Sequence, residues 1–193
     1  MLSIEKINLY IKGNLAKKRY IHVLGVADIA KKLAKLNGIS EEKAEIAGLA
    51  HDIAKNLSEA KMKEIIKENK IILSAVEENN KNLWHGIIGP IEAKNKFEID
   101  DEEILDAIRW HTTGKENMSI LTKIIYIADM IEPSRKFEGV DNIRKVTFED
   151  LDMGVYCGLT RSIEFLLIKN LIIDENSMRA RNYFLFDSKF KEN

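Results

Sequence analysis

Apolar residues recur at helical spacing along most of this chain, and no segment shows the clear alternation of apolar and polar residues that marks a β-strand. Between about Lys17 and Leu36, for example, Leu24, Ala27 and Ala34 recur at intervals that place them on one helix face. The chain has only 2 prolines and 10 glycines, and it is rich in residues that favour helices. The pattern predicts an all-α fold.

Local signals mark several helix ends. Asn37-Gly38 ends the second predicted helix, because glycine tolerates the left-handed cap conformation, and Ser40 caps the third. Asp100, with Glu103 three residues later, resembles a capping box. The predicted helices span about residues 3–12, 17–36, 41–54, 58–69, 83–97, 101–111, 119–132, 150–170 and 177–186.

Two prolines and two polar segments complicate the remaining boundaries. Pro133 stops the helix that precedes it. Pro90 predicts either a kink in the helix around it or a helix that begins after residue 83. Residues 70–90 and 133–150 are polar and irregular, and we predict functional loops there.

Composition and charge restrict the class of protein. The 193 residues fit a single domain with a core at about 15–135, completed by C-terminal helices at about 150–190. A formal net charge of −1 argues against binding to nucleic acid polymers. The chain has no apolar run near the ~20 residues of a membrane span and no signal-peptide pattern. Its single cysteine, Cys157, fits a reducing compartment, so we expect a cytoplasmic protein.

The four histidines of the chain occupy positions that suit a metal site: His22, His51, His85 and His111. His22 shares a predicted helix face with Val26 and Leu33, so it points inward. His51 and His111 come at predicted helix ends, after faces of small or apolar residues. Each of these histidines, taken singly, could be a hydrogen-bonded core residue. His85 could also lie at a corner where two segments of the chain pack against each other. Packing explains the whole set less well.

Two aspartates extend this set. Asp129 lies in SILTKIIYIADMIEP, which is apolar on most sides, so its carboxylate must be paired, protonated, hydrogen-bonded or metal-bound. Asp52 follows His51 directly near a helix end, where both side chains can converge on one ion. Imidazole and carboxylate ligands suit iron, manganese, cobalt or zinc. The sequence therefore predicts a metal site.

These residues and three motifs resemble a known family. The order His22, His51-Asp52, Asp129 is similar to the HD superfamily of helical metal-dependent phosphohydrolases, and the added His85 and His111 resemble its two-metal subset. HDIAK at 51–55, WHTTG at 110–114 and YIADMIEPSRKFEGV at 126–140 resemble the YqeK group. Members of that group are symmetrical diadenosine tetraphosphate hydrolases that yield two ADP.

The resemblance implies an HD-domain helical bundle around a binuclear metal site. His22, His51, Asp52 and Asp129 would surround one ion, His85 and His111 would complete the other, and Asp52 would bridge them. Iron is the expected metal, with manganese and cobalt as alternatives. Catalysis would rest on Asp52 and His51, through a hydroxide activated by the metals. No nucleophilic side chain is then required, and Cys157 is expected in the core.

Phosphates require cations or hydrogen-bond donors near the metals. Arg19 and Lys55 lie one helical turn from predicted ligands, and Arg135 belongs to the EPxR pattern. The uncharged substrate-binding candidates beside them are Asn56, Ser58 and Thr112. For the base we consider the C-terminal helix, with Arg179, Arg181, Asn182 and Tyr183.

Other functions stay open at this point. Within the hydrolases, a dNTP or guanosine alarmone hydrolase is the main alternative. A di-iron oxygenase belongs to a different class, and the basic residues beside the ligands disfavour it. A non-catalytic nucleotide sensor is disfavoured because every ligand position is retained. A homodimer is also left open.

Overall fold

The computed structural model describes residues 1–186. Those residues form eleven α-helices and no β-strand, which confirms the all-α prediction. The helices are α1 Ile4–Asn14, α2 Lys17–Leu36, α3 Glu41–Ala50, α4 Glu59–Glu68, α5 Ala75–Asn79, α6 Trp84–Phe97, α7 Glu102–Trp110, α8 Ile120–Ile131, α9 Val140–Glu149, α10 Leu151–Ile168 and α11 Glu175–Phe186. A 3₁₀ turn at Lys81–Leu83 leads into α6.

The boundaries around α2 and α3 agree largely with the sequence signals. Gly38, just after α2, has φ +67°, and the Ser40 hydroxyl accepts a hydrogen bond from the Lys43 backbone N–H at 3.2 Å. However, α3 ends at Ala50 rather than near residue 54, and residues 51–56 continue as turns. The two ligand candidates at 51 and 52 therefore follow the helix instead of lying within it.

The predicted cap of α7 is wrong by one residue. Asp101, rather than Asp100, caps α7 and accepts hydrogen bonds from the backbone N–H groups of Glu103 and Ile104. Asp100 instead pairs with Lys94 at 2.9 Å. Because the preceding Ile99 is fully buried, Asp100 turns outward and its neighbour takes the cap.

The segments predicted as loops are more helical than expected. Residues 133–150 contain α9, whose Val140, Ile143 and Thr147 are buried on one face. Residues 70–90 contain α5, the 3₁₀ turn and the start of α6. α6 begins at Trp84, so of the two alternatives the start after residue 83 is the one observed, and Pro90 lies inside the helix. Tertiary packing, rather than strong local propensity, stabilises these short helices.

The site lies where α2, α3, α6, α7 and α8 converge. α2 and α3 approach so closely that a Cβ at Gly48 would lie 2.7 Å from the Ala27 Cα, as the small-residue stripe suggested. α8 packs against α2, α7 and α10, and its Ile124 and Ile127 are fully buried. Among the described residues, no helix is long and apolar enough to cross a lipid bilayer.

Candidate metal centre

Five helices bring the six predicted metal ligands together. His22 lies in α2, His85 in the first turn of α6 and Asp129 in the last turn of α8. His51-Asp52 follows the end of α3, and His111 follows the end of α7. The centroids of adjacent imidazole rings are 5.4 Å (His22–His51), 5.0 Å (His51–His111) and 5.0 Å (His85–His111) apart.

The Asp52 carboxylate lies at the centre of this cluster and is almost fully buried. Its Oδ2 lies 3.7 Å from the Nε2 of His22 and 3.5 Å from that of His51. Its Oδ1 lies 3.5 Å from the Nε2 of His85 and 3.8 Å from that of His111. One carboxylate oxygen thus faces each pair of histidines, the arrangement that a bridging ligand requires.

Hydrogen bonds orient the imidazole rings. Nδ1 of His51 donates to the Gly48 carbonyl at 2.7 Å, and Nδ1 of His111 donates to the Ile108 carbonyl at 2.7 Å. These carbonyls are free because they lie in the last turns of α3 and α7. In both rings the proton is therefore on Nδ1, which leaves the Nε2 lone pair facing the cluster.

The donor set fits divalent metal ions. Nε2 of His22 and Nε2 of His51 are buried, and neither atom has a hydrogen-bond partner among residues 1–186. A buried unsatisfied polar atom costs about 1–3 kcal/mol, and a metal ion would satisfy both nitrogens. Two groups place their potential ligand atoms within 4.8 Å of one another: His22, His51 and Asp129; and His51, Asp52 and His111. Nε2 of His85 lies 3.0 Å from Nε2 of His111, so both can face a shared ion.

Electrostatics keep His85, His111 and Asp52 in the forms that bind metals. For His51, burial acts to lower the pKa, but the neighbouring Asp52 carboxylate raises it overall. Burial, together with the nearby His111 and Lys55, lowers the pKa of His85 to about 3. Burial and His51 lower the pKa of His111 to about 4. Burial alone would raise the pKa of Asp52, but the neighbouring histidines, His51 first, hold it well below its usual range. Two neutral imidazoles therefore face an ionised carboxylate.

The predicted phosphate-binding cations lie at the edge of the cluster. Arg19 Nη1 contacts Asp52 Oδ2 at 2.7 Å, and Arg135 Nη2 contacts Asp129 Oδ1 at 2.5 Å. Lys55 Nζ lies 3.3 Å from both ring nitrogens of His85, and burial lowers its pKa. Both guanidinium groups remain about one third exposed, so they border the cluster and the solvent.

The uncharged candidates divide into two groups. Thr112 Oγ1 lies 3.2 Å from Nε2 of His111 and lines a cavity beside the cluster. Ser58 instead caps α4, because its Oγ accepts a hydrogen bond from the Lys61 backbone N–H at 3.2 Å. Asn56 is exposed beside it. The structure therefore brings Thr112, but neither Asn56 nor Ser58, to the cavity wall.

A cavity of about 770 Å³ opens beside the ligand cluster. Its inner end is formed by His111, Thr112, Asp129 and Arg135. The apolar side chains of its other walls are Leu83, Tyr126, Met130, Phe137, Phe165, Leu166, Leu171 and Ile172. Polar side chains also line it: Asn79, Asn80, Asn82, Thr113, Arg161, Ser162, Asp174 and Ser177. Sequence patterns missed the apolar residues because an apolar pocket wall has the same helical spacing as a core.

The structure does not bring the base-pocket candidates of α11 to the wall of this cavity. Arg179, Arg181, Asn182 and Tyr183 are absent from the cavity wall. Arg181 contacts α10 through Thr160 and Tyr156, and the Tyr183 hydroxyl donates to Asn117. α11 turns Ala180 and Phe184 inward, whereas Arg179 and Asn182 are exposed and Arg181 and Tyr183 are only partly buried.

Comparison with known proteins assigns the family. Residues 19–134 match the HD domain family, and the chain belongs to this family, which implies binding of divalent metal. It is 38% identical to the symmetrical bis(5'-nucleosyl)-tetraphosphatase of Bacillus subtilis (strain 168), over 92% of this chain and 95% of the relative. The enzyme of the same name from Staphylococcus aureus (strain NCTC 8325 / PS 47) is 34% identical over 99% of this chain and 100% of its own length.

A solved structure also matches nearly the whole chain. It is a crystal structure of a "predicted HD superfamily hydrolase involved in NAD metabolism" from Clostridium acetobutylicum. It has a TM-score of 0.92 and 46% sequence identity, and the match covers 96% of this chain and 98% of that one. The resemblance to the HD superfamily inferred from the sequence motifs is confirmed.

Proposed function

We propose that this protein hydrolyses diadenosine tetraphosphate symmetrically to two ADP with the help of two divalent metal ions. The observation that carries the proposal is the Asp52 carboxylate, which turns one oxygen to each pair of histidines. The relatives named symmetrical bis(5'-nucleosyl)-tetraphosphatase support the choice of substrate and of the bond that is cleaved.

In this proposal His22, His51, Asp52 and Asp129 hold one ion. Asp52, His85 and His111 hold the other. The bound ions would supply positive charge to the phosphates and lower the pKa of a water molecule, as two-metal sites do for in-line displacement. Asp52 and His51 are thus catalytic through the ions they position.

The phosphate chain is expected to lie over the cations at the edge of the cluster. Arg19 and Arg135 each present a partly exposed guanidinium beside a ligand carboxylate. The Lys55 Nζ lies 3.3 Å from the His85 ring nitrogens in the same region. Arginine can bind a phosphate with two parallel hydrogen bonds, which fixes its orientation as well as its charge. These three side chains are our proposed phosphate ligands.

One nucleoside is expected to occupy the cavity beside the cluster. Its volume of about 770 Å³ lies within the range of small-molecule sites, and its mostly apolar wall suits a base and ribose. Thr112 and Arg135 stand at the end nearest the metal ligands. This position would direct the phosphates of a bound nucleotide toward the ligand cluster.

We propose iron as the working metal, with manganese and cobalt as alternatives, because mixed imidazole and carboxylate ligands suit these metals. The redox dependence of activity tests the choice. Iron enzyme is expected to lose activity on oxidation and recover it with a reductant. Activity that is indifferent to air, peroxide and reductant would exclude iron. We also propose a cytoplasmic location, consistent with the single half-buried thiol of Cys157.

The products of diadenosine tetraphosphate test the reaction itself. In ¹⁸O-labelled water, each turnover should give two ADP, one of which carries the label. ATP and AMP as the main products would refute symmetrical cleavage. Asp52→Asn should abolish turnover, whereas Asp28→Asn, at a side chain that is 56% exposed, serves as the matched control.

A substrate panel separates the alternatives. It includes dNTPs, guanosine alarmones and NAD, the last because the solved neighbour is described as involved in NAD metabolism. Oxygen consumption with any of them would point to an oxygenase. Binding of a nucleotide without turnover at stoichiometric excess would point to a sensor.

A further inference from the structure

Glu132 was not among the site residues predicted from the sequence, and its carboxylate contacts the candidate metal ligand His22. It follows the end of α8, and only 1% of its side chain is exposed. Its Oε1 lies 3.0 Å from Nδ1 of His22. Ser134 donates to the same carboxylate twice, from its backbone N–H to Oε2 at 2.6 Å and from its hydroxyl to Oε1.

The position of His22 explains why it needs such a partner. His51 and His111 lie at helix ends, where free backbone carbonyls accept the Nδ1 proton. His22 lies within α2, where the backbone carbonyls already serve the helix. Its Nδ1 therefore requires an acceptor from another element, and Glu132 supplies it across 110 residues of sequence.

Glu132 lies on the side of the ring opposite the metal cluster. Nδ1 of His22 faces Glu132, whereas Nε2 lies 3.0 Å from Asp129 Oδ1 and 3.7 Å from Asp52 Oδ2. Because Nδ1 is occupied, the proton belongs there and Nε2 keeps its lone pair toward the cluster. The same geometry makes Glu132 a partner of the ligand rather than a ligand itself.

Two further features hold the carboxylate in place. At Gly25, one turn after His22, a Cβ would lie 2.8 Å from Glu132 Oε2 and 3.4 Å from Pro133 Cδ, so only glycine leaves room for this approach. From α9, Arg144 donates to the carbonyls of Ile131, Glu132 and Arg135 at 2.7, 2.9 and 2.8 Å. The segment that carries Glu132 is thus fixed on both sides.

We infer that Glu132 is a positioning residue for the metal centre: its carboxylate fixes the tautomer and the ring orientation of His22, so that Nε2 binds the ion shared with His51 and Asp129. Partners of this kind typically contribute ten- to a hundredfold to metal affinity. The inference rests on the proposed two-metal function, but it concerns metal binding and does not depend on the identity of the substrate.

Metal affinity of the purified full-length protein tests this inference. Metal-free protein is titrated with Mn²⁺ or Co²⁺ against a competing chelator. Glu132→Gln should weaken the site that contains His22 about ten- to a hundredfold and leave the second site near its original affinity. Glu138→Gln, at an exposed glutamate of the same segment, is the matched control and should bind both ions as the unchanged protein does.

A second variant covers the case in which Glu132→Gln does not fold. Ser134→Ala keeps the carboxylate and removes one hydrogen bond to it, so it should fold and weaken the same site severalfold. Two tight ions in Glu132→Gln together with a lowered melting temperature would show a merely structural role and overturn the inference. Unchanged affinity in Ser134→Ala, with Glu132→Gln unfolded, would overturn it as well.

Failure of the inference and failure of the proposed function can be told apart. If the protein binds two ions with the expected dependence on Glu132 but does not cleave diadenosine tetraphosphate, the positioning role stands and the substrate assignment fails. If it cleaves this substrate and Glu132→Gln binds both ions normally, the proposed function stands and the positioning role fails.

Discussion

Replacement of Arg144 by alanine should loosen the segment that carries Glu132 and Arg135. Arg144 donates to three backbone carbonyls of residues 131–135 and also pairs with Asp141 at 2.6 Å. The pair with Asp141 adds little, because that carboxylate is 92% exposed. The loss of stability in Arg144→Ala therefore depends on the three hydrogen bonds from Arg144 to backbone carbonyls.

The size of this loss of stability follows from the three hydrogen bonds. A hydrogen bond to a charged group contributes about 1.5–3 kcal/mol, but the contributions are not additive, and the Arg144 side chain is 26% exposed, so water can replace part of the loss. We expect Arg144→Ala to lower the free energy of unfolding by ~2–4 kcal/mol. Arg144→Lys should recover only part of this, because one ammonium cannot reach all three carbonyls in the same geometry.

Urea unfolding of the metal-free protein, followed by circular dichroism, measures this change. Lys145→Ala is the matched control on α9, since its side chain is 74% exposed and its pair with Glu149 is 4.0 Å long. Lys145→Ala should change the free energy of unfolding by no more than about 0.5 kcal/mol. An Arg144→Ala protein as stable as the Lys145→Ala protein would refute the reasoning.

Three other outcomes are expected. Asp52→Ala should lose both metals and His85→Ala only one, and elemental analysis that finds one metal per chain in active protein would contradict the two-metal site. Arg135→Ala should lower kcat/KM about ten- to a hundredfold, and Arg135→Lys should recover part of this loss; steady-state kinetics on metal-loaded protein measures both. The metal-free protein should lose stability as the pH falls from ~6.5 to ~3. With folded-state pKa values of about 3 for His85 and about 4 for His111, the unfolded chain takes up protons first as the pH falls. Urea unfolding at several pH values measures this, and a flat profile would argue against the buried neutral histidines.

Much of the fold could be predicted because its signals are local. Ser40 and Gly38 mark boundaries through the conformations and hydrogen bonds of their own residues, and both agree with the structure. α9 was missed because its apolar face is short, with Val140 and Ile143 among many charged residues. Such a helix depends on packing against its neighbours, which no local pattern reports.

The candidate site was also largely accessible from the sequence. A histidine or aspartate on an otherwise apolar helix face needs a partner, and this reasoning selected His22, His51, His111 and Asp129. Asp52 was selected because it follows His51, and His85 because it completes the set of histidines and matches the family pattern; the structure brings all six residues together. The same reasoning did not find the residues of the cavity wall. Residues such as Phe165 and Met130 look like ordinary core residues, whereas the polar side chains of Arg179 and Tyr183 drew attention although they lie elsewhere.

The sequence by itself determined the helical class, the family and the side chains whose polarity conflicts with their apolar surroundings. Only the tertiary structure decided which of those side chains meet. The spacing of residues along a helix defines the face on which His22 lies. The crossing of α2 and α8 determines that Glu132, 110 residues away in the sequence, contacts Nδ1 of His22. Likewise, Asp52 faces two pairs of histidines only because several helices end at the same place. Periodicity is a property of one helix, whereas a metal site depends on the distances between several.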